Sequence, residues 1–163
     1  MNGFAELCVT TNFSFLRGAA HPEELMMQAK VLGLAGIGVA DRNTLAGIVR
    51  AHAVAKEHGL RLAVGARLAF RDGTPDILVF PKNRAAYARL TRLLTIGNRR
   101  APKGECWLDL PDFLERAEGL QAIAAPVLAS GAMPDETLRR TLLAIRERSG
   151  EVWLAARFVF DGE

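Results

Sequence analysis

The chain has 163 residues, half of them hydrophobic, with a formal net charge of +3 and two cysteines. That length suits one ordinary domain with one core. No apolar run approaches the ~18 residues needed to span a bilayer, no basic-then-apolar leader opens the chain, and Cys8 and Cys106 are too few for a disulfide framework or a zinc cage. The reading is a reduced cytoplasmic protein with no membrane partner. Arg far outnumbers Lys, and Arg99-Arg100 and Arg139-Arg140 are the adjacent basic pairs. Such a balance permits nucleic-acid contact without requiring it.

In chain order, Ala5 to Thr10 predicts a first strand. Thr11 to Ala20 is loop-like, with Phe13, Phe15 and Leu16 expected to tuck inward. His21-Pro22-Glu23-Glu24 opens a helix, since Pro suits the first helical position and acidic side chains suit the positive end of the dipole. Leu25, Ala29 and Leu32 mark its buried stripe, and Gly33 ends it. An apolar run from Leu34 stops at Asp41-Arg42-Asn43, giving a second strand over Ala35 to Ala40. Asn43 is expected to cap a second helix with Leu45, Ile48, Val49 and His52 facing inward, closed by Gly59.

Arg61 to Phe70 predicts a third strand. Arg71-Asp72-Gly73-Thr74 is a tight turn, and Asp76 to Phe80 a fourth strand. Asn83 caps a third helix, with Tyr87, Leu90 and Leu94 inward, that frays at Gly97-Asn98. A loop carrying Arg99, Arg100, Lys103 and Trp107 follows. A short helix starts at Pro111 and stops at Gly119, before a fifth strand over Leu120 to Ala125. Pro134-Asp135-Glu136 opens a further helix with Leu138, Leu142 and Ile145 on one side. Val152 to Phe160 is a sixth strand, whose Trp153, Phe158 and Phe160 suggest an unfinished apolar surface.

One junction recurs. Gly33-Leu34, Gly59-Leu60 and Gly119-Leu120 each end a helix and begin a strand, as wound α/β folds require; Gly150-Glu151 fits loosely. Six strands with intervening helices imply a partial barrel or an open sheet, because a closed eight-stranded barrel typically takes ~250 residues.

Strand ends are where such folds build sites. They offer Cys8, Thr10 and Asn12 after the first strand, and Asp41, Arg42 and Asn43 after the second. Arg67 comes from the third and Lys82 after the fourth. Asp41 is the single carboxylate at a clear rim position, and all three His lie elsewhere. Cys8 is read as a small buried thiol rather than a ligand. Asp41 is read as pairing with Arg42, Arg67 or Arg17, or capping the next helix, rather than as a base. His52 is read as a core His. Gly36-x-Gly38 lacks the third Gly and the acidic residue of a dinucleotide site. Arg99, Arg100, Lys103 and Trp107 carry the charge-and-aromatic mix that single strands use, though a plain surface loop accounts for them as well.

Three segments carry a family resemblance: Glu6-Leu-Cys-Val-Thr-Thr-Asn-Phe-Ser-Phe-Leu-Arg-Gly-Ala-Ala-His-Pro-Glu-Glu-Leu25, Ala40-Asp-Arg-Asn-Thr-Leu-Ala-Gly47 and Val64-Gly-Ala-Arg-Leu68. Together they resemble the PHP family, named for polymerase and histidinol phosphatase, and in particular the N-terminal PHP domain of bacterial error-prone C-family DNA polymerases, relatives of the polymerase III α subunit. The resemblance implies a distorted β/α barrel of PHP type, here partial, about six strands and incomplete. It makes residues 1–163 the N-terminal part of such a domain, truncated.

Active members carry His-x-His on the first strand, a loop ligand, an Asp-His step after the second strand and a Glu after a Gly in the third. Laid onto this chain, those positions are Cys8 and Thr10, near Arg17, Asp41-Arg42, and Arg67. Arg cannot donate a lone pair to a metal, so the positions read as a degenerate metal site with no cofactor and no catalytic residue. The resemblance then implies a structural module, with the polymerase body as partner in cis or trans. In the full-length relative it implies DNA, replication and damage-tolerant synthesis by a DNA-directed DNA polymerase. Two alternatives stay open: a metal-dependent phosphoesterase holding Zn or Mn, and an anion- or nucleic-acid-binding module using Arg17, Arg42 and Arg67. For the arginines, the competing reading is a structural network in place of a metal.

Overall fold

The computed structural model describes residues 3–126 and 136–155. Its elements run β1 (Ala5–Val9), α1 (Pro22–Val31), β2 (Gly36–Arg42), α2 (Ile48–His58), β3 (Leu62–Leu68), β4 (Ile77–Pro81), α3 (Arg84–Arg100), α4 (Leu110–Leu114), β5 (Leu120–Ala124), α5 (Glu136–Ser149) and β6 (Val152–Leu154). The strands form one six-stranded sheet in the order β1-β2-β3-β4-β5-β6. Sheet order follows chain order, as in a barrel opened along one seam. Pro134 and Asp135, expected to open the last helix, and Phe158 and Phe160, expected in the sixth strand, lie outside the described residues.

The pairing is parallel for β1–β2, β2–β3 and β5–β6, and antiparallel on both sides of β4. The Arg71–Thr74 turn explains the reversal. A short connection returns the chain antiparallel, whereas a parallel neighbour needs a long crossover. Asp72 fixes this turn, its Oδ1 accepting from the Thr74 N–H at 3.0 Å and its Oδ2 from the Leu110 N–H at 2.7 Å.

Two clusters pack the helices onto one face of the sheet. Met26, Ala29, Ile37, Val39, Ile48, Ala51 and Ala55 join α1 and α2 to β2. Leu68, Ile77, Val79, Leu90, Leu93, Phe113, Leu120 and Ile145 join α3, α4 and α5 to β3, β4 and β5. The opposite face carries Ala40, Leu78, Phe80 and Ala125, with Cys8 and Ala63 against them. Successive strand residues alternate between these faces. Glycines make room on the inner one: a Cβ on Gly65 would lie 2.5 Å from the Phe80 ring, and one on Gly38 would lie 3.1 Å from it. That packing is the reason for glycine at position 38, where no nucleotide fingerprint exists.

The recurring junction is present. Gly33, Gly59 and Gly150 follow helix ends with φ between 64° and 86°, the left-handed conformation that ends a helix without a Cβ penalty, whereas the short helix expected to stop at Gly119 ends at Leu114, and Gly119, at φ 75°, belongs to the turn before β5. Asn83 caps α3, its side chain accepting from the Ala86 N–H at 2.9 Å.

Several expectations need correction. Phe15 and Leu16 are 84% and 89% exposed, and Phe13 is also outward. Leu32 and Val49 are exposed too, their places in the core taken by Met26 and Ala51. His52 is an exposed residue, not a core one. Each helical slip is a face misjudged by about one residue's rotation, ~100°. Tyr87 sits at the edge of its buried stripe at 39% exposure. Gly97 does not fray α3, which runs on through Arg99 and Arg100. A Cβ there would lie 2.5 Å from Cys106 Sγ, so glycine lets the following segment fold back onto the helix.

Candidate functional site

The C-terminal ends of β1, β2 and β3 meet on one rim. Period-two alternation sends Asp41 and Arg42, adjacent in β2, to opposite faces. Asp41 points to the helix side and is 1% exposed. Its Oδ1 accepts from the Thr11 N–H at 2.8 Å and the Ser14 hydroxyl at 2.6 Å, and its Oδ2 from the Thr11 hydroxyl at 2.7 Å. Ser14 Oγ in turn accepts from the Arg42 N–H at 2.9 Å, and Thr11 Oγ1 from the Phe13 N–H at 3.1 Å. Asp41 therefore pairs with none of the three arginines, contrary to expectation. It organises the loop between β1 and α1. Gly47 closes the knot, since a Cβ there would lie 3.1 Å from both Asp41 Oδ2 and Thr11 Oγ1.

Asn43 does not cap α2, which starts at Ile48 after Gly47. It sits at φ 50°, a conformation that Asn tolerates better than most residues. Its Oδ1 accepts from the Ala69 N–H at 2.9 Å, and its Nδ2 donates to the carbonyls of Ala69 and Cys106 at 3.3 and 3.4 Å. Asn43 thus ties the end of β2 to the chain beyond β3 and to the segment after α3.

Arg42 and Arg67 are register partners on β2 and β3 and share the inner face. Arg67 Nη2–H donates to Cys8 Sγ at 2.8 Å. A carboxylate that sequence reasoning passed over lies between the two arginines. Asp76 Oδ2 is 3.8 Å from Arg42 Nη1 and 3.9 Å from Arg67 Nη1. Because β4 runs backwards, its beginning reaches this rim and its end does not. The same reversal removes Lys82, which pairs instead with Glu151 at 3.2 Å at the opposite end of the sheet. The Asp-Gly turn signal before Asp76 was the available clue.

Arg17 is exposed on the loop, and Thr10 lies just past β1. Arg17 and Arg42 line one cleft of about 780 Å³; Arg67 is not among its lining residues. The three arginines thus divide, two on the cleft and one on Cys8. The cleft also holds Arg71, Lys103 and Trp107. Arg71 stacks over the Trp107 ring, its Cζ 4.2 Å from the centroid. The indole N–H donates to Glu105 at 2.7 Å. Arg99 and Arg100 belong to α3 instead, with Arg100 donating to Asp112 at 2.6 Å.

A divalent ion needs several free anionic or neutral donors within ~2–2.6 Å. Both Asp41 oxygens already accept protein hydrogen bonds, Cys8 Sγ accepts from a guanidinium, and Asp76 faces two cations. Among the described residues, no three His, Cys, Asp or Glu side chains converge. Burial pushes the Cys106 thiol up to about 11, so it stays protonated at neutral pH. Among the described residues, the donors at this rim are thus already engaged by protein partners. What the rim presents is positive charge, aromatic surface and hydrogen-bonded scaffolding.

Residues 6–153 match the model of the PHP domain family. The chain is 50% identical over 153 residues to an error-prone DNA polymerase of Caulobacter vibrioides, covering 94% of this chain and 14% of that protein. It is 49% identical over 165 residues to an error-prone DNA polymerase of Brucella abortus, covering 98% of this chain and 15% of that protein. Among solved structures, it resembles a protein from Bifidobacterium adolescentis described as a metal-dependent phosphoesterase, with TM-score 0.60 and 18% identity over 88% of this chain and 75% of the other. It also resembles an amidohydrolase from Chromobacterium violaceum, with TM-score 0.63 and 16% identity over 91% and 75% of the two chains. At these identities the two structures show the fold alone. No helix among the described residues is long and apolar enough to cross a membrane.

Proposed function

This chain belongs to the PHP domain family, and on that premise we propose that it is a catalytically degenerate PHP module of an error-prone DNA polymerase, acting in the cytoplasm. Its role is structural: it supports the polymerase body and its partners and hydrolyses nothing. The chain spans about one-seventh of the length of the curated relatives it matches. Template-directed synthesis, and the repair or damage tolerance it serves, would be the work of the whole polymerase.

The observation that carries this reading is the chemistry at the positions where active members place ligands. Thr10, Arg17, Arg42 and Arg67 stand there, and the two remaining donors are engaged, Cys8 by Arg67 and Asp41 by Thr11 and Ser14. A buried carboxylate accepting three hydrogen bonds is held as a structural anion; freeing it for a metal would strand the Thr11 and Ser14 donors. Arg67 beside Cys8 further opposes a cation.

The experiment is metal analysis with a hydrolysis assay. The purified chain is exposed to Zn or Mn, desalted and measured by elemental analysis, then offered a generic aryl phosphodiester. The expected result is well under about one ion per chain and no turnover above a metal-only control. About one tightly held ion together with hydrolysis would overturn the reading in favour of a phosphoesterase.

A further inference from the structure

We propose that the outer ridge of α3 is a docking surface for double-helical DNA, with Arg84, Arg92 and Arg99 set against backbone phosphates. The ridge lies on the helix side of the sheet, apart from the rim. The choice of DNA as the polyanion rests on the reading of this chain as a polymerase module; the ridge itself does not.

The helix α3 runs for 17 residues, and its buried stripe is Ala86, Leu90, Leu93, Leu94 and Gly97. At ~100° per residue, Arg84, Ala88, Arg92, Thr95 and Arg99 fall within an arc of about 80° on the opposite side. All five are exposed. The line they form is about 22 Å long at ~1.5 Å per residue. Its crest is arginine, alanine and threonine only. Thr95 Oγ1 donates back to the Thr91 carbonyl at 2.8 Å, so its hydroxyl lies down along the helix. The ground between the arginines is therefore low.

The fold does not account for these three charges. No acidic side chain occurs anywhere in α3, its first turn included. An exposed helix gains from Glu–Arg pairs at i,i+4 and from acids near its positive end. α3 forgoes both, and Arg84 stands at its first position, against the dipole. The remaining arginines of the helix behave differently. Arg89 donates to Glu118 and Arg100 to Asp112, both at 2.6 Å, each turned toward a neighbouring element. Among the described residues Arg84, Arg92 and Arg99 make no ion pair. The flank arginines serve the fold, and the crest arginines are left for an anion outside it.

The crest also selects among polyanions. A protein partner needs an apolar or aromatic anchor at the centre of its interface, and the crest has none. A single strand is held by stacking on aromatic faces. Tyr87, 39% exposed, is the nearest ring, and it lies ~100° round the helix from the crest. A lipid surface takes a helix that also presents an apolar face to it. Phosphodiester backbone needs only cations within reach. A straight row of guanidinium groups on a rigid rod suits the fixed phosphates of a duplex, and at ~3.4 Å per base pair the ridge spans about six of them. Such contacts carry no base sequence.

The test is fluorescence anisotropy of a labelled DNA duplex of about twenty base pairs, titrated with the purified chain at about 50 mM and 200 mM salt. The expected result is binding that falls steeply with salt. The Arg84→Gln/Arg92→Gln/Arg99→Gln variant should weaken it at least about tenfold, with the log–log salt slope falling by about 0.9 for each phosphate no longer neutralised. Ala88→Glu is the second variant. Its carboxylate sits four residues from both Arg84 and Arg92 and pairs with them. It should weaken binding about tenfold while the thermal midpoint, read by circular dichroism, holds or rises; a damaged fold would lower both. Three results would overturn the proposal: no duplex binding at the lower salt, either variant binding as tightly as the parent chain, or equal losses for a single strand or poly-glutamate, which would make the crest a general polyanion surface. Metal retention with hydrolysis would overturn the module reading instead and would not alter these outcomes.

Discussion

Asp41 and Arg42 are neighbours in sequence and opposites in environment. Asp41 is fully buried, and both its oxygens accept short hydrogen bonds from Thr11 and Ser14. Arg42 is part-exposed and meets its carboxylate partner at 3.8 Å. One end of one strand thus carries a rigid anchor on one face and a lightly committed cation on the other. The contrast teaches that strand parity, more than residue type, decides which rim residues serve architecture and which stay available to a ligand.

The sharpest way to break the contrast is at the anchor. Asp41→Ala leaves the Thr11 and Ser14 donors buried without an acceptor and should destabilise the fold by about 3–4 kcal/mol, read by urea denaturation. Gly18→Ala attacks the same loop from its other end. The added Cβ would lie 2.2 Å from the Thr11 carbonyl oxygen, backbone that cannot move aside cheaply. Its expected cost is about 2–3 kcal/mol in the same measurement. If either change proved harmless, the loop would not be the fixed element described.

The cationic side should respond far less. Arg67 is 15% exposed in its side chain, and its Nε has no partner among the described residues. Replacing it by Met should be neutral or stabilising by about 1 kcal/mol in the same denaturation measurement, because the desolvated charge goes along with its weak pairings. Asp76→Asn should cost about 0–1 kcal/mol, as part-exposed pairs near 4 Å contribute little. A cost for Asp76→Asn matching that of Asp41→Ala would erase the distinction between the two faces.

The smallest effect concerns acid. Burial tends to raise the carboxyls of Asp72 and Asp112, but hydrogen bonds outweigh it, from Leu110 and Thr74 for Asp72 and from Arg100 and Asp109 for Asp112. Both end below the ordinary value of 3.8. A lowered folded value means that the unfolded chain binds protons first. The stabilisation is complete above about 3.8 and is lost as pH falls through the lowered values. Asp112→Asn should therefore flatten the acid limb of a stability–pH curve, while at neutral pH it removes little beyond the ion pair with Arg100.

Much of the architecture is legible in the sequence because its signals are local. Glycine after a helix, proline at a helix start, Asn83 as a cap and the Asp-Gly turn each act through a few neighbouring atoms. The failures share a different cause. Whether Phe15 faces in or out depends on the Asp41 knot, thirty residues from Thr11 in sequence. Asn43 suits a helix cap by its polar group, yet it is engaged by Ala69 and Cys106, which no window of sequence brings near. At the site, Cys8, Arg42 and Arg67 read as rim residues and do share a face. Arg71 and Trp107 read only as parts of a turn and a loop, because the return of the chain across Gly97 is what unites them.

The reversed strand has a wider implication. In a uniformly parallel sheet, chemistry collects where strands exit, and a search confined to exits finds it. One strand of opposite sense exchanges entrance and exit locally, so Asp76 arrives at the rim as the first step into β4 while Lys82, the last step out, is exported to the far pole. The location of a useful side chain in such a mixed sheet is therefore set by the direction of travel of its own segment, and a hairpin turn acts as the switch that decides which pole receives it.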